Sequence, residues 1–546
     1  MTGADAVVKI LKAEGIRQVF CYPTTPILDA LARADIRVIT SRQERVAGNM
    51  ADGVSRSTNG RQIGTFTVQQ SAGAENAFAG IAHSYTDSTP VLFLPGHPGV
   101  NTIGNSPTFD STDNYRATTK LAQKILTKEQ IPSKLRQAFT ALRSGRPQPV
   151  LLELPIDLCS AAYDGALDYE PVPRIRPAAD PGAVREAAER LLKAECPLIW
   201  AGQGVLYAEA SEELKRVAEL LGAPVMTTLQ GKSAFPEDHP LAAGVGAYVS
   251  TEMVRHYLAA SDLVLAIGSS LSRASFTPVI PSGKTLVHAT NDPSDINKEY
   301  AATVPIAADA KLFLQQLADE LSSRVGERQK QLRGQTADNI ATIRERWLQK
   351  YETLFSDDSS PINGYRMFRE LWAAIEPEQS MLTHESGSSR DIQCVFYQAR
   401  TPRSYLGWGQ SSQLGFSLGL AMGAKLANPD KLVVNVMGDA SVGMTGMDWE
   451  TAARENIPVL TVIKHDSIFS GYDRHIPESI KRYKTSTQRG DYAGVARALG
   501  CHSEKVERAS DLRPALERGI QATRDGQPAV VDVITCETRK LSKVWD

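Results

Sequence analysis

Gly438-Asp439-Ala440-Ser441 ends an apolar run, Leu432 to Met437, and opens a helical pattern that reaches about Asn456. A second apolar run, Val459 to Ile463, ends in Lys464-His465-Asp466. Strand, helix and strand within about 35 residues make one parallel crossover unit. That geometry brings Asp439 and Asp466, 27 positions apart, to the same sheet edge. A helix N-terminus there offers free N–H groups to a phosphate, and two acid oxygens can hold Mg²⁺ against it. A Gly-Asp turn is also a common strand–helix connection, so the unit alone leaves a plain structural reading open.

The rest of the chain repeats the alternation. Short runs at Gln18 to Cys21, Ile63 to Thr67, Val91 to Leu94 and Val150 to Leu154 are separated by helical patterns, the signature of parallel α/β sheets. A proline-rich stretch from Glu170 to Pro181 and the segment Ser356-Asp357-Asp358-Ser359-Ser360-Pro361 read as linkers. They divide the chain into domains at 1–165, 182–325 and 362–546, each expected to be α/β with a parallel sheet flanked by helices. In the middle domain, Gly202-Gln203-Gly204 and Gly268-Ser269-Ser270 follow apolar runs. Such turns can bind nucleotides, but neither completes the dinucleotide fingerprint. A net charge of −2 gives no basic surface for nucleic acid, and no apolar run approaches the roughly 20 residues of a membrane span. Met1 to Gly15 reads as an amphipathic helix rather than a signal peptide. Cys21, Cys159, Cys196, Cys394, Cys501 and Cys536 form no paired CxxC spacing. That usage favours a reducing compartment, and a cytoplasmic location is expected.

Residues 438–466 resemble the cofactor motif of the thiamine-diphosphate superfamily of acetolactate synthase, benzaldehyde lyase and 2-oxoacid decarboxylase. The family pattern is Gly-Asp-Gly or Gly-Asp-Ala closed by Asn-Asn; the closing pair here is His465-Asp466. The resemblance implies Asp439 as first metal ligand, Asp466 in place of the ligand Asn, and the Ile468 carbonyl as a backbone ligand. Gly438, Asp439, Ala440 and Ser441 would surround the diphosphate. Ser41 to Gly53, after the run Arg37 to Thr40, resembles the family's Arg-His-Glu segment. It implies Glu44 as the acid on N1′ of the aminopyrimidine, favouring the imino tautomer whose N4′ takes the proton from thiazolium C2. A carboxylate at a helix N-terminus also serves the dipole alone.

Further matches follow in order. Gln70 to Asn76 resembles the family's Ser-Gly-Pro-Gly-Ala-Thr-Asn turn and implies Asn76 as a cofactor contact. Val150 to Asp157 resembles the strand that closes the first domain. Gly409 to Gly419 resembles Gly-Gly-Leu-Gly-Thr-Met-Gly-Phe, with Leu414 as the apolar prop under the cofactor and the Ser412 carbonyl accepting from N4′. His384 and Glu385 fall where relatives flank the diphosphate.

The substrate side departs from the family. Thr24 and Thr25 stand where relatives have Gly-Gly beside the thiazolium, and they narrow that space or cap a helix. Gln70, His97 and His475 are further substrate candidates, His475 with Arg474 in a loop that relatives use as a cover. Lys464 and His465 are unusual near a metal edge, and His465 reads as structural or phosphate-adjacent. The resemblance further implies Mg²⁺, a small-molecule substrate, and active sites between the first domain of one subunit and the third of another, hence a homodimer or homotetramer. Acetolactate synthases carry Asp-Asp-Arg after Arg-Phe in the middle domain; here the residues are Leu271-Ser272-Arg273-Ala274-Ser275, so FAD is not expected. The expected reaction makes or breaks a C–C bond next to a carbonyl, acetolactate-synthase-like with a 2-oxo acid donor. One alternative is a lyase acting on a 2-hydroxy ketone or 2-hydroxyacyl-CoA, to which Arg539-Lys540-Leu541-Ser542-Lys543 would offer positive charge. A non-catalytic cofactor-binding relative stays open, as does a flavin or nicotinamide oxidoreductase built on the middle domain.

Overall fold

Three six-stranded sheets follow one another along the chain in the computed structural model, which describes residues 1–23 and 25–538. The first holds β1 (Gln18–Cys21), β2 (Arg37–Thr40), β3 (Gly64–Val68), β4 (Val91–His97), β5 (Leu121–Lys124) and β6 (Val150–Pro155). Its order is β2-β1-β3-β4-β6-β5, with every pairing parallel. The middle sheet holds β7 (Pro197–Ala201), β8 (Val225–Thr228), β9 (Ala242–Gly246), β10 (Leu263–Ile267), β11 (Thr285–Thr290) and β12 (Val304–Ala307). The third holds β13 (Ser380–Thr383), β14 (Tyr405–Leu406), β15 (Leu432–Gly438), β16 (Leu460–His465), β17 (His502–Val506) and β18 (Ala529–Ile534). The order β14-β13-β15-β16-β18-β17 retraces that of the first sheet, so the first and third domains share one topology.

The middle sheet runs β12-β11-β10-β7-β8-β9 and reverses direction of growth between β7 and β10, the switch point of a doubly wound fold. Gly202 and Gly268 meet there: a Cβ on Gly202 would lie 2.3 Å from the Gly268 carbonyl oxygen. A cleft of about 340 Å³ opens beside them, lined in part by Ser270, Arg273 and Asn291.

Central strands are apolar because both faces are covered. β4 and β16 are buried at every position, yet each ends in polar residues, His97 and Lys464-His465. Polar side chains at the carboxyl ends of such strands mark the edge where ligands bind. Edge strands read less plainly in the sequence. β5 is half-buried throughout, β14 has two residues, and β17 is largely half-buried, so none carries an apolar run. The stretch expected as one helix from Asp439 to about Asn456 is divided: a helix ends at Thr445, a 3-10 turn covers Gly446–Asp448, and a second helix spans Trp449–Arg454. The break frees Asp448, whose Oδ1 accepts from the Arg42 backbone N–H at 2.8 Å and from the Thr451 hydroxyl at 2.9 Å. It is thus a docking point for the first domain. The linker after Glu170 is likewise tied down, its Val172 N–H donating to Glu14 at 3.0 Å.

Four helices position the site: α1 (Glu44–Ser57), α2 (Ala72–Thr86), α3 (Phe416–Ala427) and α4 (Asp439–Thr445). α1 and α3 cross at backbone contact through glycine. A Cβ on Gly53 would fall 2.3 Å from the Leu420 carbonyl oxygen, and one on Gly423 2.0 Å from that of Met50. Both helices start at the same end of this crossing. Arg45, early in α1, donates from Nη2 to the Leu414 carbonyl at 2.5 Å, while Ser57 at the far end accepts from Asn428 at 3.1 Å. A buried Asp52–Arg56–Asp87 cluster backs the contact, and Asp87 accepts from the Gly409 and Gln410 N–H groups.

Candidate active site

Glu44 is the first residue of α1, only 8% exposed, and its carboxylate has no hydrogen-bond or salt-bridge partner among the described residues. A carboxylate at the tip of a mostly buried side chain, with no protein partner, is open to a ligand that completes it. The neighbours on either side carry the docking. Gln43 donates from its amide to the Met444 carbonyl at 3.1 Å, and Arg45 reaches Leu414. Glu44 therefore lies where the N-terminal ends of α1 and α3 meet the C-terminal end of α4, within one chain.

Asp439 opens α4 directly after β15. Its Oδ1 accepts from the Ala440 N–H at 2.9 Å and its Oδ2 from the Ser467 N–H at 2.8 Å, which ties the helix start to the loop after β16. Burial, and then the charge of Asp466, push the Asp439 carboxyl up to about 6. A buried acid raised by a second acid beside it suits a cation. No group of three or more His, Cys, Asp or Glu side chains suited to a metal occurs among the described residues. A divalent ion held by this pair would need backbone, phosphate or water oxygens as well, the usual habit of Mg²⁺. Ile468 meets these needs in part. It bridges Thr487 in antiparallel fashion, flanked by bonds from Phe469 N–H to Ser486 and from Gln488 N–H to Ser467, so its own carbonyl faces away from that pairing. Asp466 is held by Lys464 at 2.7 Å and Ser470 at 2.8 Å. His465 turns to the opposite face, 2.9 Å from Asp532 and 4.0 Å from Asp439 Oδ2. Burial opposes the imidazolium, but Asp532 and Asp439 outweigh it and hold His465 above its usual value.

Glu385 and His384 part company. Glu385 is fully buried at the start of α3, with Oε1 accepting from the Ser417 N–H at 2.9 Å. The Ser441 side chain also favours its ionised form, while Oε2 and the Ser417 hydroxyl have no partner. Burial raises its pKa. It links the starts of α3 and α4. His384 was expected beside it as a cofactor contact. Its ring is enclosed by Tyr405 and Trp408, a Cβ on Gly407 would come within 1.9 Å of Nε2, and burial drives its pKa down to about 3. It is a neutral core residue, because strand-end position alone does not say which way a side chain packs.

The remaining candidates scatter. The Thr25 hydroxyl is buried without a partner, while Thr24 and residues 539–543 lie outside the described residues. Gln70 lies against Gly96 at the end of β4, and His97, at the same edge, accepts at Nδ1 from the Gly99 N–H at 3.2 Å. Ser412 is exposed and its hydroxyl bonds Ser386 at 2.6 Å. Asn76 is exposed on α2, and His475 is exposed in the loop after β16. Sequence reasoning missed Arg45, Ser417, Ser470 and Asp532. Only Arg45 carried a signal, being adjacent to Glu44.

Comparison with known proteins accords with this architecture. Residues 1–121 match the family described as thiamine pyrophosphate enzyme, N-terminal TPP binding domain; residues 184–317 match its central domain, and 385–533 its C-terminal TPP binding domain. The probable acetolactate synthase large subunit of Methanocaldococcus jannaschii is 29% identical across 100% of this chain and 93% of its own length. The acetolactate synthase isozyme 3 large subunit of Escherichia coli K12 is 28% identical, covering 98% and 94%. Glyoxylate carboligase of Escherichia coli O157:H7 is 28% identical, covering 99% and 94%. With all three domains matched in order and relatives aligned from end to end, the chain belongs to the thiamine-diphosphate-dependent enzyme superfamily.

Proposed function

We propose that this enzyme binds thiamine diphosphate and Mg²⁺ between Glu44 of one subunit and the Asp439–Asp466 edge of another, and ligates 2-oxo acids in the manner of an acetolactate synthase. The observation that carries the reading is the largely buried Glu44, whose carboxylate has no partner among the described residues, at the convergence of α1, α3 and α4. The residues fit the group: an orphaned acid for the aminopyrimidine, a pair of acids for a cation, and the α4 N-terminus with Gly438, Ala440 and Ser441 for the diphosphate. When bound, the cofactor supplies a carbanion and an electron sink next to a carbonyl. Glu44 shares its proton with the aminopyrimidine N1′. Asp439, Asp466 and the Ile468 carbonyl hold the metal, with Asp439 fixed by two backbone N–H groups. Leu414 and the Ser412 carbonyl orient the ring, and Asn76 adds a further contact. Thr25, Gln70 and His97 line the substrate side, and His475 covers it. Domain limits near residues 165, 182, 325 and 362, a homodimer or homotetramer and a cytoplasmic setting belong to the same proposal. Relatives named as large subunits support assembly.

The test of the reaction is a screen with added cofactor and metal. A 2-oxo acid should be consumed with release of CO₂ and formation of a ligated product. Aldehyde release from a 2-hydroxy ketone or 2-hydroxyacyl thioester, with no 2-oxo acid turnover, would instead identify a lyase.

The site also predicts a pH dependence. The cation needs Asp439 ionised, and without metal this carboxyl titrates near pH 6. Mg²⁺ affinity should therefore fall as pH drops through about 6 and level off above about 7. Calorimetric Mg²⁺ titrations between pH 5 and 8 check this; a flat profile would remove Asp439 from the ligand set.

A further inference from the structure

Lys464 and Asp466 stand two residues apart at the end of β16 and so share a face. The Lys464 ammonium is 2.7 Å from Asp466 Oδ2, with the two side chains only 3% and 5% exposed. The Ser470 hydroxyl donates to the same oxygen at 2.8 Å. The other oxygen, Oδ1, receives no hydrogen bond among the described residues. The lysine stem runs in a prepared slot: a Cβ on Gly364 would sit 3.1 Å from Lys464 Cε. A buried ammonium is tolerated only when paired, and Asp466 is its one salt-bridge partner among the described residues.

We propose that Lys464 is a positioning residue of the metal site, and that the Lys464–Asp466 pair does the work of a neutral amide. Lys464 and Ser470 hold Oδ2, which leaves Oδ1 for the cation. The ammonium cancels the charge that a second carboxylate would set against the diphosphate. Asp439, with His465 4.0 Å from its Oδ2, is then the acid that faces the metal without a lysine partner. This rests on the cofactor reading above.

A double-mutant cycle on Lys464→Met and Asp466→Asn tests the pair. Mn²⁺ affinity is read by electron paramagnetic resonance with and without thiamine diphosphate, and melting is followed in the cofactor-free protein. Asp466→Asn alone strands an ammonium beside the cation and should weaken Mn²⁺ by about 10–100-fold. Lys464→Met alone leaves a bare carboxylate and should weaken thiamine diphosphate by a similar factor while Mn²⁺ without cofactor binds at least as tightly. The double variant should bind both within about three-fold of the parent, a strongly non-additive result. A pair with only a structural role would restore melting in the double variant without moving Mn²⁺ affinity in any of them, which overturns the proposal, as do additive losses. If one single variant does not fold, the other decides together with the double: an affinity lost in that single variant and recovered in the double supports the pair, and an affinity unmoved in the single variant, or lost beyond about ten-fold in the double, overturns it. A parent protein that binds no thiamine diphosphate in the presence of Mn²⁺ overturns the cofactor reading itself.

Discussion

Glu44→Gln should retain cofactor binding and slow exchange of the cofactor's C2 proton by about 10²–10⁴-fold, the range of one positioned acid–base group. Glutamine keeps the size and the hydrogen-bonding tip of the side chain but cannot carry the shared proton. The substitution is well suited to the test because nothing else depends on this carboxylate. Docking of α1 runs through Arg42, Gln43 and Arg45, not through Glu44. The variant should therefore melt within a few degrees of the parent, since the carboxylate makes no protein hydrogen bond that the amide would break. Hydrogen–deuterium exchange at C2, followed by NMR with the cofactor bound, separates the outcomes. An unchanged rate would remove Glu44 from catalysis while leaving the fold untouched.

Asp439→Asn is expected to have an effect of comparable size, located in binding rather than in proton transfer. The amide oxygen can still accept from the Ala440 N–H, so the start of α4 should hold its shape. The charge is lost, and with it the direct attraction for a divalent ion. Loss of an outer partner typically costs about 10–100-fold in metal affinity; loss of a ligand should exceed that. Removing a carboxyl that burial pushes up to about 6 should also offset, near neutral pH, the acceptor that the Ser467 N–H loses. Above that pKa the folded state holds an ion it would rather protonate, and the unfolded state does not. Metal affinity falling while the melting temperature holds or rises would be the signature of a site residue. A fall in both would mark Asp439 as a structural cap.

How much of this was legible in the chain depends on how local each feature is. The β15–α4–β16 unit was readable because an apolar run, a Gly-Asp turn and a second run are neighbours in sequence, and the crossover rule places their ends together. Glu44 was readable for the same reason, at a strand-to-helix turn. The edge strands β5, β14 and β17 were not, since half-buried edges lack the run that announces a central strand. The packing of His384 was not legible either, because Tyr405, Gly407 and Trp408, some twenty residues on, decide where its ring lies. The break after Thr445 was hidden too. It depends on Asp448 meeting Arg42, 406 positions away. Lys464 carried a misleading signal: a lysine at a strand end is usually solvated, and only the fold shows it buried against Asp466.

The most direct test of the whole account is reconstitution. Protein stripped of thiamine diphosphate and divalent metal by dialysis against chelator is supplied with 2-oxo acid, and substrate consumption is followed before and after each component is returned. The account predicts no turnover in the stripped protein, none with either component alone, and recovery when thiamine diphosphate and Mg²⁺ are added together. Full turnover by exhaustively stripped protein would contradict it.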